Sequence, residues 1–238
     1  MTKLQIITLK NFPVLQQLQL EEALLRADDR NFCLINQGSP KSIVLGISGN
    51  PVSLVHPDAW RQEKIPLIKR FSGGGTVIVD EHTLFVSFIC EGKFINAPLF
   101  PEPILRWSTE FYQKAWRIPD FTFRENDYVI KDRKCGGNAQ YIRKNRFVHH
   151  TTFLWDFQKK HMDFLLYPKK TPKYREGRGH ADFLCRLRPL FPNIEDLAAR
   201  IIEELRLRYI VESCSLEEIS PVLQKEHRKS TSLLPCPQ

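Results

Sequence analysis

The sequence predicts a mixed α/β fold of the α+β kind, built as a single unit. Short strand-like runs cluster in the middle of the chain, and amphipathic helical stretches lie before, between and after them. No internal repeat, low-complexity stretch or shift of composition divides the 238 residues.

Residues 12–26 place Phe12, Leu15, Leu18, Ala23 and Leu25 at helical spacing, with Glu21 and Glu22 expected on the outside. Residues 32–35 and 42–47 read as strands around the Gly38-Ser39-Pro40 turn. A short helix is predicted over 57–64 and a strand over 65–69. Residues 76–79 and 84–88 alternate like half-buried strands across the polar Asp80-Glu81-His82-Thr83, which predicts a hairpin. A long helix over 103–117 stops before Pro119. Several short strands follow between 121 and 156, broken at Asn126-Asp127, Gly136-Gly137 and Lys144-Asn145. Residues 194–209 form a strongly amphipathic helix, residues 216–227 predict another, and the last ten, 229–238, read as a disordered tail. One domain over 1–228 follows.

Hydrophobic content of 42%, charged content of 26% and 16 phenylalanines suit a chain with a full core. No apolar run approaches the ~20 residues of a membrane span, and the first twelve residues lack a signal or transit composition. These features predict a cytoplasmic protein, or a mitochondrial one, with no membrane partner. The six cysteines (Cys33, Cys90, Cys135, Cys185, Cys214, Cys236) are scattered without a CxxC pair, which excludes a zinc ribbon and predicts reduced thiols. The net charge of +8 is spread along the chain and not gathered into one arm, which disfavours nucleic acid and suits an acidic protein or a phosphate-bearing substrate.

Two stretches carry chemistry. In KRFSGGGTVIVD, residues 69–80, three glycines lead into a strand. They are either a flexible entry to a hairpin or a cradle whose bare backbone lies against a ligand. No Gly-Lys-Ser/Thr follows, so it is not a phosphate-binding P-loop. In ENDYVIKDRKCGGNAQYIRKNRFVHHTTFLWD, residues 125–156, Lys134 precedes the small-residue run Cys135-Gly136-Gly137-Asn138-Ala139. Lys134 is either a solvated hairpin lysine or a point charge for ligand oxygens. Asn126-Asp127 is either a turn or part of the same site. His149 and His150 point to opposite faces of a strand and cannot readily share a metal ion. One of them facing a cleft as a hydrogen-bond donor is the better reading.

Together these stretches resemble the lipoate–protein ligase family, which shares its catalytic domain with biotin ligases and octanoyltransferases. The family's Arg-x-Ser-Gly-Gly-Gly-x-Val-x-x-Asp stands here as residues 70–80, its Asn-Asp as Asn126-Asp127, and its Lys-x-Ser/Gly-Gly-x-Ala as residues 134–139. Its His-His-x-Thr matches residues 149–152. The resemblance implies a largely antiparallel central sheet flanked by helices. It also implies an activity that joins lipoate or octanoate to AMP, using ATP and Mg²⁺, and then passes the acyl group to a lysine. The acceptors would be lipoyl domains of 2-oxoacid dehydrogenase complexes or the glycine cleavage H protein, and the enzyme a monomer.

On the matching positions, Lys134 would be the catalytic residue, holding carbonyl and phosphate oxygens. Arg70 would donate to the same intermediate. Ser72, Gly73, Gly74, Gly75, Thr76, Val77 and Ile78 would line the adenylate and acyl channel. Asp127 would contact Mg²⁺, while Asn126, Gly137, Asn138, Ala139, His149, His150 and Thr152 supply further binding contacts.

The chain departs from the family at His82-Thr83, where Gly-Asn is common, at Lys69 in place of an arginine, and at Cys135 in place of an aliphatic residue. After residues 172–175 it has room only for closing helices, so no separate C-terminal accessory domain is expected. A second reading is an ATP-independent acyltransferase with Cys135 as thioester nucleophile. A third is a non-catalytic cofactor- or nucleic-acid-binding protein.

Overall fold

The computed structural model describes residues 2–167 and 171–235, with Ala181 as backbone only. In chain order the elements are β1 (Lys3–Lys10), α1 (Val14–Ala27), β2 (Phe32–Gln37), β3 (Ser42–Leu45), α2 (Pro51–Leu54) and α3 (Asp58–Arg61). Next come β4 (Leu67–Lys69), β5 (Val77–Val79), β6 (Thr83–Glu91), α4 (Pro101–Trp116), β7 (Phe121–Arg124), β8 (Asp127–Ile130) and β9 (Arg133–Arg143). The chain continues through β10 (Arg146–Leu154), α5 (Lys159–Met162), α6 (His180–Phe183), α7 (Ile194–Arg208), β11 (Ile210–Ser213), α8 (Leu216–Ile219) and β12 (Ser232–Leu233).

Eight strands form one sheet in the order β11-β1-β2-β6-β10-β9-β8-β7. Its first three strands run parallel and the remaining neighbours antiparallel, so the α+β fold has a largely antiparallel central sheet. A smaller sheet, β12-β4-β3-β5, packs beside it.

Both faces of the large sheet are covered, which explains why β6 is buried along nearly its whole length. Leu84, Val86 and Phe88 meet α4 and α7, whose Ile104, Phe111, Leu197 and Ile201 repeat at helical spacing. Ile89 meets Leu20 and Leu24 of α1, while Phe85 meets Val44, Ile68 and Val79 of the small sheet. Rings interlock in the first of these layers: Phe153 lies edge-on to Tyr112 at 4.8 Å and to Trp116 at 4.6 Å. Each such fully buried side chain contributes roughly 1.5–3 kcal/mol. Pro101 starts α4 at a position that needs no N–H, and Arg117 ends it in the left-handed region at φ 52°.

Four expectations from the sequence are corrected. Residues 76–88 are not a hairpin: β5 pairs with β3, whereas β6 pairs with β2 and β10. The turn in which Asp80 O accepts from Thr83 N and Asp80 Oδ1 from His82 N carries the chain from one sheet to the other. Glu21 and Glu22 are buried, because each finds partners inside. Residues 229–235 are not a disordered tail. Ser230 N and Thr231 N donate to the Glu22 carboxylate, and β12 pairs with β4; residues 236–238 lie outside the described residues. The helix expected over 216–227 shortens to α8 and a 3-10 turn, Ser220–Gln224, because Pro221 has no N–H to continue the ladder.

Candidate active site

The loop between β4 and β5 is stitched to the end of β3. Arg70 N donates to Leu45 O at 3.0 Å, and Ile47 N donates to Ser72 O at 2.9 Å. A Cβ on Gly46 would lie 2.3 Å from Gly74 O, so the loop can lie flat only against a glycine. Gly74 itself holds φ +102°, and its Cβ would meet Arg70 Nη2 at 2.6 Å. At Gly73 and Gly75, by contrast, a Cβ would meet nothing within 4 Å. The middle glycine is therefore required by the backbone, while its neighbours border open space.

Arg70 is buried, with Nε and Nη2 donating to Gly73 O at 3.1 and 2.8 Å and Nη2 to Gly75 O at 2.9 Å. Burial pulls its guanidinium down to about 10, with the charge of Glu21 acting the other way, so it stays protonated at neutral pH. These donors brace the glycine loop, where the sequence had assigned them to a ligand. Thr76 Oγ1 is buried without a hydrogen-bond partner among the described residues.

Opposite the loop stands the β8–β9 hairpin. A Cβ on Gly74 would be 3.8 Å from Asn138 O, which brings the two segments together. Lys134 Nζ pairs with Asp127 Oδ1 at 2.7 Å and lies over Gly137, whose absent Cβ would be 3.2 Å from Nζ. Gly137 is cross-strand partner to both Asp127 and Thr152. Tyr174 Oη donates to Asp127 Oδ2 at 2.8 Å; burial and that carboxylate push its phenol far up. Asn138 Nδ2 donates to Asn126 O at 2.7 Å.

The histidines divide as strand geometry requires. His150 shares its side of β10 with Thr152 and pairs with Ala139 and Ser87. Its Nδ1 lies 2.9 Å from Glu21 Oε1 and 3.0 Å from Ser87 Oγ, and Gln17 Nε2 also donates to Glu21. His149 is on the other face, 2.7 Å from Tyr128 Oη among the core aromatics. Burial, then the neighbouring His150, lowers it to about 3. The sequence expectation for His149 as a binding residue is thus corrected.

Cys135 also leaves the site: it is fully buried opposite Lys134, with Sγ donating to Tyr128 O, and burial drives its thiol well up. Ile78 turns into the core of the small sheet, and Val77 packs against α1 and β3. Arg70, Ser72 to Thr76, Asp127, Lys134, Gly137, Ala139, His150 and Thr152 gather on one side of the sheet, with Asn126 at the turn beside them. Phe71 is buried in the core, and Asn138 turns to the other side, where its Oδ1 accepts from Gln140 Nε2. Tyr174, Glu21 and Ser87 belong to the site too, yet no spacing links Tyr174 to Asp127, 47 residues away.

The donor set can be matched to the implied ligands. Open glycine faces, an orphaned threonine hydroxyl and a cation suit a nucleotide or an acyl-adenylate. For Mg²⁺ the fit is poor: among the described residues no group of three or more His, Cys, Asp or Glu could hold a metal, and both Asp127 oxygens are engaged.

This is an α+β domain in which a glycine loop faces a lysine–carboxylate pair. The chain belongs to the lipoyl protein ligase A/B catalytic domain family, matched over residues 13–206. It is 33% identical over 241 residues to the inactive lipoate–protein ligase 2 of Plasmodium falciparum (isolate 3D7), covering 76% of this chain and 62% of that one. The chain spans less than two thirds of the length of the curated relatives it matches. Its fold superposes on the bipartite lipoate protein ligase of Thermoplasma acidophilum, described with its E2 lipoyl domain, at a TM-score of 0.77 with 16% identity, covering 94% and 91% of the two chains. A lipoate-protein ligase A bound with ATP matches at a TM-score of 0.75 with 15% identity, covering 94% and 92%. Among the described residues no helix is long and apolar enough to cross a membrane.

Proposed function

We propose that this chain handles an acyl-adenylate, transferring lipoate or octanoate from AMP to a lysine of a lipoyl domain. One observation carries the reading: the Lys134 ammonium is held 2.7 Å from Asp127, above a glycine that leaves it room, facing the glycine loop. When an acceptor amine attacks the acyl carbonyl, negative charge grows on the carbonyl oxygen and on the departing phosphate. A fixed ammonium is most useful where that charge develops. Arg70 acts through the loop, and Asp127 and Tyr174 aim the ammonium. No step is assigned to Mg²⁺.

Whether the chain also makes the adenylate is a separate question, sharpened by the relative named inactive. Pyrophosphate exchange with lipoate and ATP reads the first half-reaction, and transfer from supplied lipoyl-AMP to an acidic lipoyl domain reads the second. Transfer is expected, and Lys134→Ala should lower it by roughly 10²–10³. An unaffected Lys134→Ala chain would refute the assignment. The thioester reading predicts instead that Cys135→Ser is dead. A buried thiol with a raised pKa on the far face argues against it, and Cys135→Ser is expected to keep most activity.

A further inference from the structure

Cys135 has a neighbour that this reaction does not use. Lys134 makes a parallel bridge with Leu184, and Cys185 N donates to Lys134 O at 2.8 Å. The next residues in register are Cys135 and Cys185. Side chains at matched positions of neighbouring parallel strands leave on the same face, and both thiols pack into one apolar layer, Cys135 Sγ donating to Tyr128 O and Cys185 Sγ to Arg133 O. Neighbouring strands lie ~4.8 Å apart, inside the roughly 4.4–6.8 Å Cα span of a disulfide. Both cysteines are free thiols.

The pair is asymmetric. Cys185 is half-buried and reachable, whereas Cys135 is fully buried. The adjacent Cys135 thiol, with burial opposing it and the charge of Arg133 assisting, holds the Cys185 thiol below its ordinary range. Cys185 is thus the attacking thiol and Cys135 the one that resolves.

We propose that Cys135 and Cys185 form a peroxide-sensitive dithiol site whose disulfide fastens residues 171–185 against the strand carrying Lys134. The Cys185 thiolate attacks one oxygen of hydrogen peroxide, breaking the O–O bond; the departing hydroxide takes a proton and leaves as water. The resulting sulfenic acid is attacked at sulfur by Cys135, and a second water leaves. Two thiols and one peroxide give one disulfide and two waters. The fastened segment already holds Tyr174 on Asp127, and Arg178 Nη1 on Asp132 Oδ2 at 2.9 Å. Locked there, it can no longer move aside to admit an acyl-adenylate to Lys134. This loss of rate rests on the functional reading above; the crosslink does not.

The test treats the whole chain with modest hydrogen peroxide, then blocks free thiols with maleimide under denaturing conditions. Mass spectrometry should find four maleimide adducts in place of six on the six cysteines, with a linked pair of peptides carrying Cys135 and Cys185, restored by dithiothreitol. Hydrogen exchange across residues 171–184 should slow in the oxidised form, and transfer from supplied acyl-adenylate should fall roughly tenfold. Cys185→Ser should show none of these responses. Sulfinic acid at Cys185 without the crosslink, a crosslink among other cysteines, or a crosslink that leaves exchange unchanged would overturn the proposal. A reduced chain without any transfer activity would sink the enzymatic reading, and the mass and exchange data would still judge the dithiol.

Discussion

Gly137 owes its identity to a neighbour's side chain. Its own backbone has no left-handed requirement, but a methyl there would stand 3.2 Å from Lys134 Nζ. Gly137→Ala should push the ammonium off Asp127 and cut transfer by about a decade, as expected for losing much of one charge contact. The unfolding midpoint should hardly change, which separates this variant from a folding defect; steady-state kinetics beside urea melts check both. His149 makes the opposite kind of prediction, on stability without chemistry. Its folded value of about 3 lies below its ordinary 6.5, so the fold favours the neutral ring. That contribution is complete above about pH 6.5 and fades as pH falls toward 3, because the unfolded chain takes up the proton first. Between pH 7 and 5 it removes about 2 kcal/mol. A His149→Gln chain, weaker at neutral pH, should lose less over the same range in urea titrations; an identical pH slope would refute the assignment.

Among the elements, β12 shows how a two-residue strand can matter beyond its length. It follows the Ser230 and Thr231 N–H groups that satisfy Glu22, whose other buried partner is Arg26. Removing residues 229–238 should leave that carboxylate short of donors and cost roughly 1–3 kcal/mol. Differential scanning calorimetry would read the loss, and an unchanged melting temperature would count against it. The same element marks a limit of sequence reading. β1, β11 and β12 went unread because parallel or edge pairing leaves no periodic signature of its own. Glu21 and Glu22 read as solvent-facing because their partners, His150 and the tail amides, are far away in sequence. The hairpin over 76–88 failed for a related reason: both runs alternate, yet each pairs with a strand outside the segment. Long helices with strong spacing, such as α4 and α7, were legible almost to the residue. For the candidate site, the family resemblance singled out Lys134, Asp127 and the glycines, while Tyr174 and Glu21 could be found only in three dimensions.

For the molecule as a whole, the +8 charge bears on encounter. An acidic acceptor domain would be steered toward this surface, and screening shortens the reach of that field to ~8 Å at physiological salt. The second-order transfer rate should therefore fall as salt rises from low to physiological strength, with turnover at saturating acceptor little altered. Stopped-flow or quenched transfer assays across that range would decide, and a salt-independent rate would mean that the basic surface serves something else.

The contact between Gly46 and Gly74 has a genetic reading. The atom that excludes a side chain at position 46 is a carbonyl oxygen, 2.3 Å from where the Cβ would sit. Every amino acid carries that oxygen, so exchanging residue 74 offers no relief. A library randomised at position 46 and selected for function should return glycine alone. A search for second-site suppressors of Gly46→Ala should find none at position 74. Any rescue must come from changes that move the whole loop away from β3, and these would also disturb the carbonyls that Arg70 holds in place.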